Sequence, residues 1–201
     1  MANDILFKEY TLTVDFEDRK SIDSRRKLQI KELYENCEIV KLGNFSIFKS
    51  FDRSGQFSSN GIILKDVDIS ILNKTANELE KIFSVKFEKK SNKISIESSY
   101  LIENKNNSFG VLQQTLVMRR YLKNNDLVIS SLELFDIIDE NLPIFIRFDV
   151  LNSGLQIKLS SQLENLQVLN ETVEKYNEYV NSTLKNKLLT KGESENDSEE
   201  I

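Results

Sequence analysis

Between residues 38 and 71 the chain alternates short apolar runs with tight-turn residues, and no other feature restricts its fold as much. Ile39, Val40 and Leu42 precede Gly43-Asn44. Phe45, Ile47 and Phe51 lead into Asp52-Arg53-Ser54-Gly55, and Asn60-Gly61 introduces Ile62 to Leu64 and the alternation Val67, Ile69, Ile71. Asn and Gly accept the positive φ that two-residue hairpin turns demand. Successive runs therefore fold back on one another, and an antiparallel sheet is expected here.

Other stretches extend that sheet. Over residues 4–16, Leu6, Tyr10, Leu12, Val14 and Phe16 fall on alternate positions, with Lys8 the exception and Thr11, Thr13 and Asp15 on the other face. This is the pattern of a half-exposed strand. Val85 with Phe87, and then Ile94, Ile96, Tyr100 and Ile102, read as two further strands joined at residues 89–92. Pro143 opens an extended run over 144–151, which Asn152-Ser153-Gly154 turns into Leu155, Ile157 and Leu159.

Helical spacing appears in three places, and two further stretches are assigned to helices on other grounds. Ile22, Ile30, Leu33 and Cys37 share one arc over residues 21–37, with Ser21 or Asp23 as the N-cap. Leu72, Ala76, Leu79 and Phe83 line one face over 73–83, with Asn73 as a cap. Residues 109–122 and 127–138 are apolar without a clean period, and their length and good helix formers assign them to helices. Over 161–189, Leu163, Leu166, Leu169, Val173, Tyr176, Val180, Leu184 and Leu188 recur at steps of three and four. A helix of that length spans roughly 40 Å, so part of it is expected to project or to meet a partner.

The expected fold class is therefore α+β: an antiparallel sheet, helices packed on one side, and a long amphipathic C-terminal helix. Residues 1–189 form one domain, with a possible subdomain boundary in the loop at 104–108. Residues 190–201 hold one base and five acids, which carry −4 of the chain's net charge of −5. Such a segment buries too little apolar surface to offset its ordering entropy and is expected to be a disordered tail.

Composition narrows the chemistry. The 201 residues include no His, so there is no Ser/His or Cys/His nucleophile pair, no imidazole base and no His-ligated metal. Cys37 stands alone and is read as core, since neither a disulfide nor a structural zinc can be built from one thiol. No phosphate-loop, dinucleotide or EF-hand spacing occurs. No cofactor, metal site or catalytic residue is assigned. Asp66 and Asp68 followed by Glu88 and Lys90 resemble the Asp then Glu-x-Lys order of restriction-type nucleases, whose acids hold Mg²⁺. Alternation along a half-buried strand accounts for the two aspartates equally well, and Lys89 is charged where that order has an apolar residue. Asp136, Asp139 and Glu140 read as a loop or helix end.

Two candidate surfaces remain. The C-terminal stripe offers Leu166, Val173, Tyr176 and Val180 to another protein or to a second copy, with Asn170 and Asn177 bordering it. The basic helix offers Arg25, Arg26, Lys27 and Lys31, with Arg119 and Arg120 if the fold adds them, to nucleic acid phosphates. A solvated helix face is the simpler reading of that charge run. The start of the chain lacks a signal peptide's basic region and apolar run, and no segment approaches a membrane span. The Lys/Asn/Ile bias suggests an AT-rich bacterial or phage genome. The sequence thus predicts a cytoplasmic, non-enzymatic protein-binding or assembly component that associates through its C-terminal helix. A nucleic-acid-binding protein is the alternative, and a Mg²⁺ nuclease comes third.

Overall fold

The computed structural model of the chain describes residues 5–42, 45–103, 131–138, 142–151 and 154–184. Among the described residues nine strands form one sheet: β1 (Ile5–Phe16), β2 (Glu38–Leu42), β3 (Phe45–Lys49), β4 (Arg53–Ser58), β5 (Gly61–Asp66), β6 (Asn92–Glu103), β7 (Ser131–Ile138), β8 (Leu142–Leu151) and β9 (Gly154–Gln162). Their order is β2-β3-β4-β5-β1-β6-β9-β8-β7, and every pairing is antiparallel. The protein is α+β.

Register explains the layering. Leu12 lies between Leu64 and Ile96, and Val14 between Ile62 and Ile94. These six side chains point to one face and are buried. Thr11, Thr13, Lys65, Ser95 and Glu97 occupy the intervening positions and point to the other. Because side chains alternate at period two, one face is apolar and must be covered, while the other tolerates water.

Three helices cover the apolar face: α1 (Ser24–Leu33), α2 (Ile69–Phe83) and α3 (Leu169–Glu178). Asp23 caps α1 by accepting the Arg26 N–H at 2.9 Å. After α1 the Tyr34 ring packs on Phe48 and Phe57, at centroid separations of 5.4 and 5.7 Å. This is possible because Gly55 lacks a Cβ, which would stand 2.6 Å from the Tyr34 ring. Helix α2 lays Leu72, Ala76, Leu79 and Phe83 on the sheet. It ends at Ser84 in the left-handed region, φ 55°.

Several sequence expectations need correction. The cap of α2 is Asp68, not Asn73: its carboxylate accepts the Ser70 N–H at 2.7 Å, and the helix starts at Ile69. Val85 and Phe87 form no strand, because the buried Glu80 carboxylate takes the Phe87 N–H at 2.6 Å. Residues 131–138 form strand β7, not a helix. Pairing with β8 overrides the helix propensity of its leucines, and Leu132, Leu134 and Ile138 point to the helix layer while Phe135 and Ile137 point away. Finally, Ser161 and Gln162 belong to β9, so the C-terminal helical segment starts with a 3₁₀ turn at Leu166–Val168. It runs through α3 and closes with a π-turn at Tyr179–Leu184. Residues 104–130 and 185–201, including the expected subdomain boundary and tail, lie outside the described residues.

Candidate interaction surface

The C-terminal stripe is used inside the chain. Leu166 is 5% exposed, Val173 1%, and Tyr176 and Val180 0%. They join Leu163 and Leu169 in the core beneath β6 and β9. In the single chain these four side chains, which the sequence offered to a partner, are taken up in the chain's own core. The apolar half of a sheet this wide needs a cover, and the stripe supplies it. Asn177 faces inward too, accepting hydrogen bonds from Lys8 Nζ at 3.0 Å and the Tyr100 hydroxyl at 3.2 Å.

The basic window divides. Arg26 turns inward, donating to the Ile82, Phe83 and Ser21 carbonyls at 3.3, 3.5 and 2.5 Å, with its guanidinium 5.7 Å from the Phe83 ring centroid. It therefore satisfies open carbonyls at the end of α2 and is not an outward nucleic-acid contact. Arg25, Lys27 and Lys31 are exposed on α1. Arg119 and Arg120 lie outside the described residues.

The nuclease order does not assemble. Asp66, at the end of β5, is buried and accepts the Asp68 N–H at 2.9 Å. Burial pushes its carboxyl pKa up. Glu88 and Lys90 follow α2 on the segment that Glu80 holds through the Phe87 N–H, while the Asp68 carboxylate is engaged in capping the first turn of α2. Asp136 accepts the Tyr179 hydroxyl at 2.5 Å, while Asp139 and Glu140 lie outside the described residues. Cys37 is half-buried against the core. Among the described residues no group of three or more acidic or cysteine side chains is placed to hold a metal ion, and no helix is long and apolar enough to cross a membrane.

The open sheet face presents something the sequence reading missed. Phe135 on β7 and Phe145 on β8 are register partners whose rings meet edge to face at 5.4 Å, yet they remain 59% and 63% exposed. Ile137, 52% exposed, sits beside Pro143 in the same ladder. A polar rim follows: Arg147 donates to Asp149 at 2.9 Å and to Glu133 at 3.3 Å. Alongside Phe145 lies a shallow depression of about 380 Å³ whose lining includes Thr11, Thr13, Glu97, Ser160 and Gln162. An apolar centre with a charged rim is the usual anatomy of a protein contact surface. The signal in the sequence was the alternation of Glu133, Phe135 and Ile137, which is visible only once 131–138 is read as a strand.

No protein-family model matches the chain, and no curated protein matches it significantly.

Proposed function

We propose that the protein is a cytosolic, non-enzymatic assembly component that binds another protein chain, in the first instance a second copy of itself, through the Phe135–Phe145 corner. One observation carries this reading: the Phe135 and Phe145 rings meet edge to face while both, together with Ile137 in the same ladder, stay more than half exposed. Exposed apolar clusters with polar rims mark contact sites more often than scattered surface residues do. The route through Leu166, Val173, Tyr176 and Val180 would require the stripe to leave the sheet, with loss of its core contacts. The corner requires no such rearrangement.

Light scattering at rising protein concentration tests the proposal. The wild-type chain should exceed its monomer mass of 23.3 kDa, and the Phe135→Glu/Phe145→Glu double variant should remain folded and monomeric. A wild-type chain that stays monomeric up to ~200 μM, or a double variant of unchanged mass, overturns it.

A further inference from the structure

A second feature, independent of the apolar corner, lies where the segment before α1, helix α1 itself and the β2–β3 pair converge. An open cleft of about 380 Å³ is lined there by Lys20, Lys27 and Lys41 and by the hydroxyl-bearing Ser21, Ser46 and Ser59, with Phe45 at its side. Among the described residues no acidic side chain lines it. The volume falls within the ~300–1,000 Å³ range of small-ligand sites.

The fold builds this convergence from three separate parts of the chain. The Lys20 N–H donates to the Ser59 carbonyl at 2.8 Å, which ties the segment before α1 to the β4–β5 turn. Lys41 and Ser46 are register partners, and Ser46 in turn pairs with the buried Phe57. Both side chains therefore point to the helix side of the sheet, where α1 carries Lys27. Among the described residues no ion pair or hydrogen bond engages the three ammonium groups. Three unpaired like charges converging on one cleft repel one another until an anion enters.

From this we infer that the cleft is a site for the phosphate of a nucleotide or nucleic acid, held by the lysines and the serine hydroxyls. Ammonium groups act on phosphate as point charges and hydroxyls add directional donors. The same chemistry would take one unit of a single-stranded nucleic acid or a free nucleotide. Of the basic window at 19–31 that the sequence suggests, Lys20 and Lys27 line this cleft, and Lys41 joins them through folding alone.

Fluorescence anisotropy with fluorescein-labelled dT20, and calorimetric titration with ATP, test the site on the full chain. The expected result is dT20 binding at low salt that weakens ~10- to 100-fold in Lys20→Gln/Lys27→Gln/Lys41→Gln. The slope of log affinity against log salt should also shrink by about 2, at ~0.7 per lost single-strand contact. Arg25→Gln/Lys31→Gln, on the same helix but outside the cleft, should change affinity less than threefold, and Phe135→Glu/Phe145→Glu should leave it intact. ATP binding with the same lysine dependence, without dT20 binding, identifies the source as a free nucleotide. Binding of neither probe at ~25 mM salt overturns the inference. So does a folded triple variant that binds like the wild type; should the triple variant misfold, the single Lys41→Gln change is read in the same way.

Discussion

The Tyr176 hydroxyl donates a 2.5 Å hydrogen bond to Ser161 Oγ, and both residues are buried. This bond joins α3 to the last strand at the point where the sequence suggested one continuous helix. Tyr176→Phe removes the donor and leaves the Ser161 hydroxyl without this partner, which costs about 1–2 kcal/mol. At ~2–4 °C per kcal/mol for a domain of this size, Tm should fall by roughly 2–8 °C. The more telling variant is Val173→Asp, which places an unpaired charge in the core. It should unfold the chain by circular dichroism, whereas a stripe that merely held a partner would release a folded monomer.

Alkaline pH should weaken the fold at its tyrosines. Burial pushes the Tyr34 hydroxyl up to about 12, against the ordinary 10, with the nearby Arg53 opposing the shift. Tyr100 and Tyr176 are raised by burial as well. A phenol whose folded pKa is raised keeps its full contribution below pH 10. Above that, the unfolded chain ionises first, and stability drains away until the folded pKa is reached. For Tyr34 alone the loss between pH 10 and 12 is about 2–3 kcal/mol, at ~1.4 kcal/mol per unit. Urea unfolding should give equal midpoints at pH 8 and 9 and a clearly lower one at pH 11. Equal midpoints at pH 8 and 11 would contradict the burial of these rings.

Gly55 is fixed by contact and not by backbone conformation. A Cβ there would lie 2.6 Å from Cζ and Oη of Tyr34 and 2.7 Å from Cε2 of Phe57. The ring has little freedom to retreat, since the Arg53 guanidinium sits 4.4 Å from its centroid and Phe48 packs at 5.4 Å. Gly55→Ala should therefore cost about 1–3 kcal/mol as overpacking. Differential scanning calorimetry checks it, and an unchanged Tm would mean that α1 docks on the sheet more loosely than described.

Much of the fold was legible because local pattern and tertiary environment agree. Val14, Leu12 and Tyr10 alternate in sequence and are buried in the structure, and Asn60-Gly61 marks the β4–β5 turn where Gly61 passes within 2.5 Å, at its ideal Cβ position, of the Val14 carbonyl. Legibility failed where partner strands decide. Residues 131–138 are apolar on both faces, so no clean period of two appears, and only β8 alongside makes them a strand. The C-terminal stripe was seen correctly as apolar, but periodicity cannot say whether a helix covers its own sheet or another chain. The candidate surfaces were less legible still. Phe135 meets Phe145, and Lys20 meets Lys41, across gaps in sequence that no local window spans.

Asp68 distinguishes a structural carboxylate from a catalytic one. It accepts the Ser70 N–H at 2.7 Å and the Ile71 N–H at 3.4 Å, at the start of the helix that carries Leu72, Ala76 and Leu79 into the core. Asp68→Ala removes the cap and should cost about 1 kcal/mol, a Tm fall of ~2–4 °C. Asp68→Asn keeps an acceptor oxygen and should retain most of that stability, because asparagine caps about as well as aspartate. A Mg²⁺ ligand would behave differently: both variants would lose a negative charge at the ion, and wild-type stability would rise on adding Mg²⁺ by mass action. Thermal melts of the three proteins with and without 10 mM Mg²⁺, a roughly chosen saturating level, separate the two roles. The cap predicts melts insensitive to Mg²⁺ with Asn close to Asp, whereas a Mg²⁺-dependent rise confined to the wild type would restore the metal reading of Asp68.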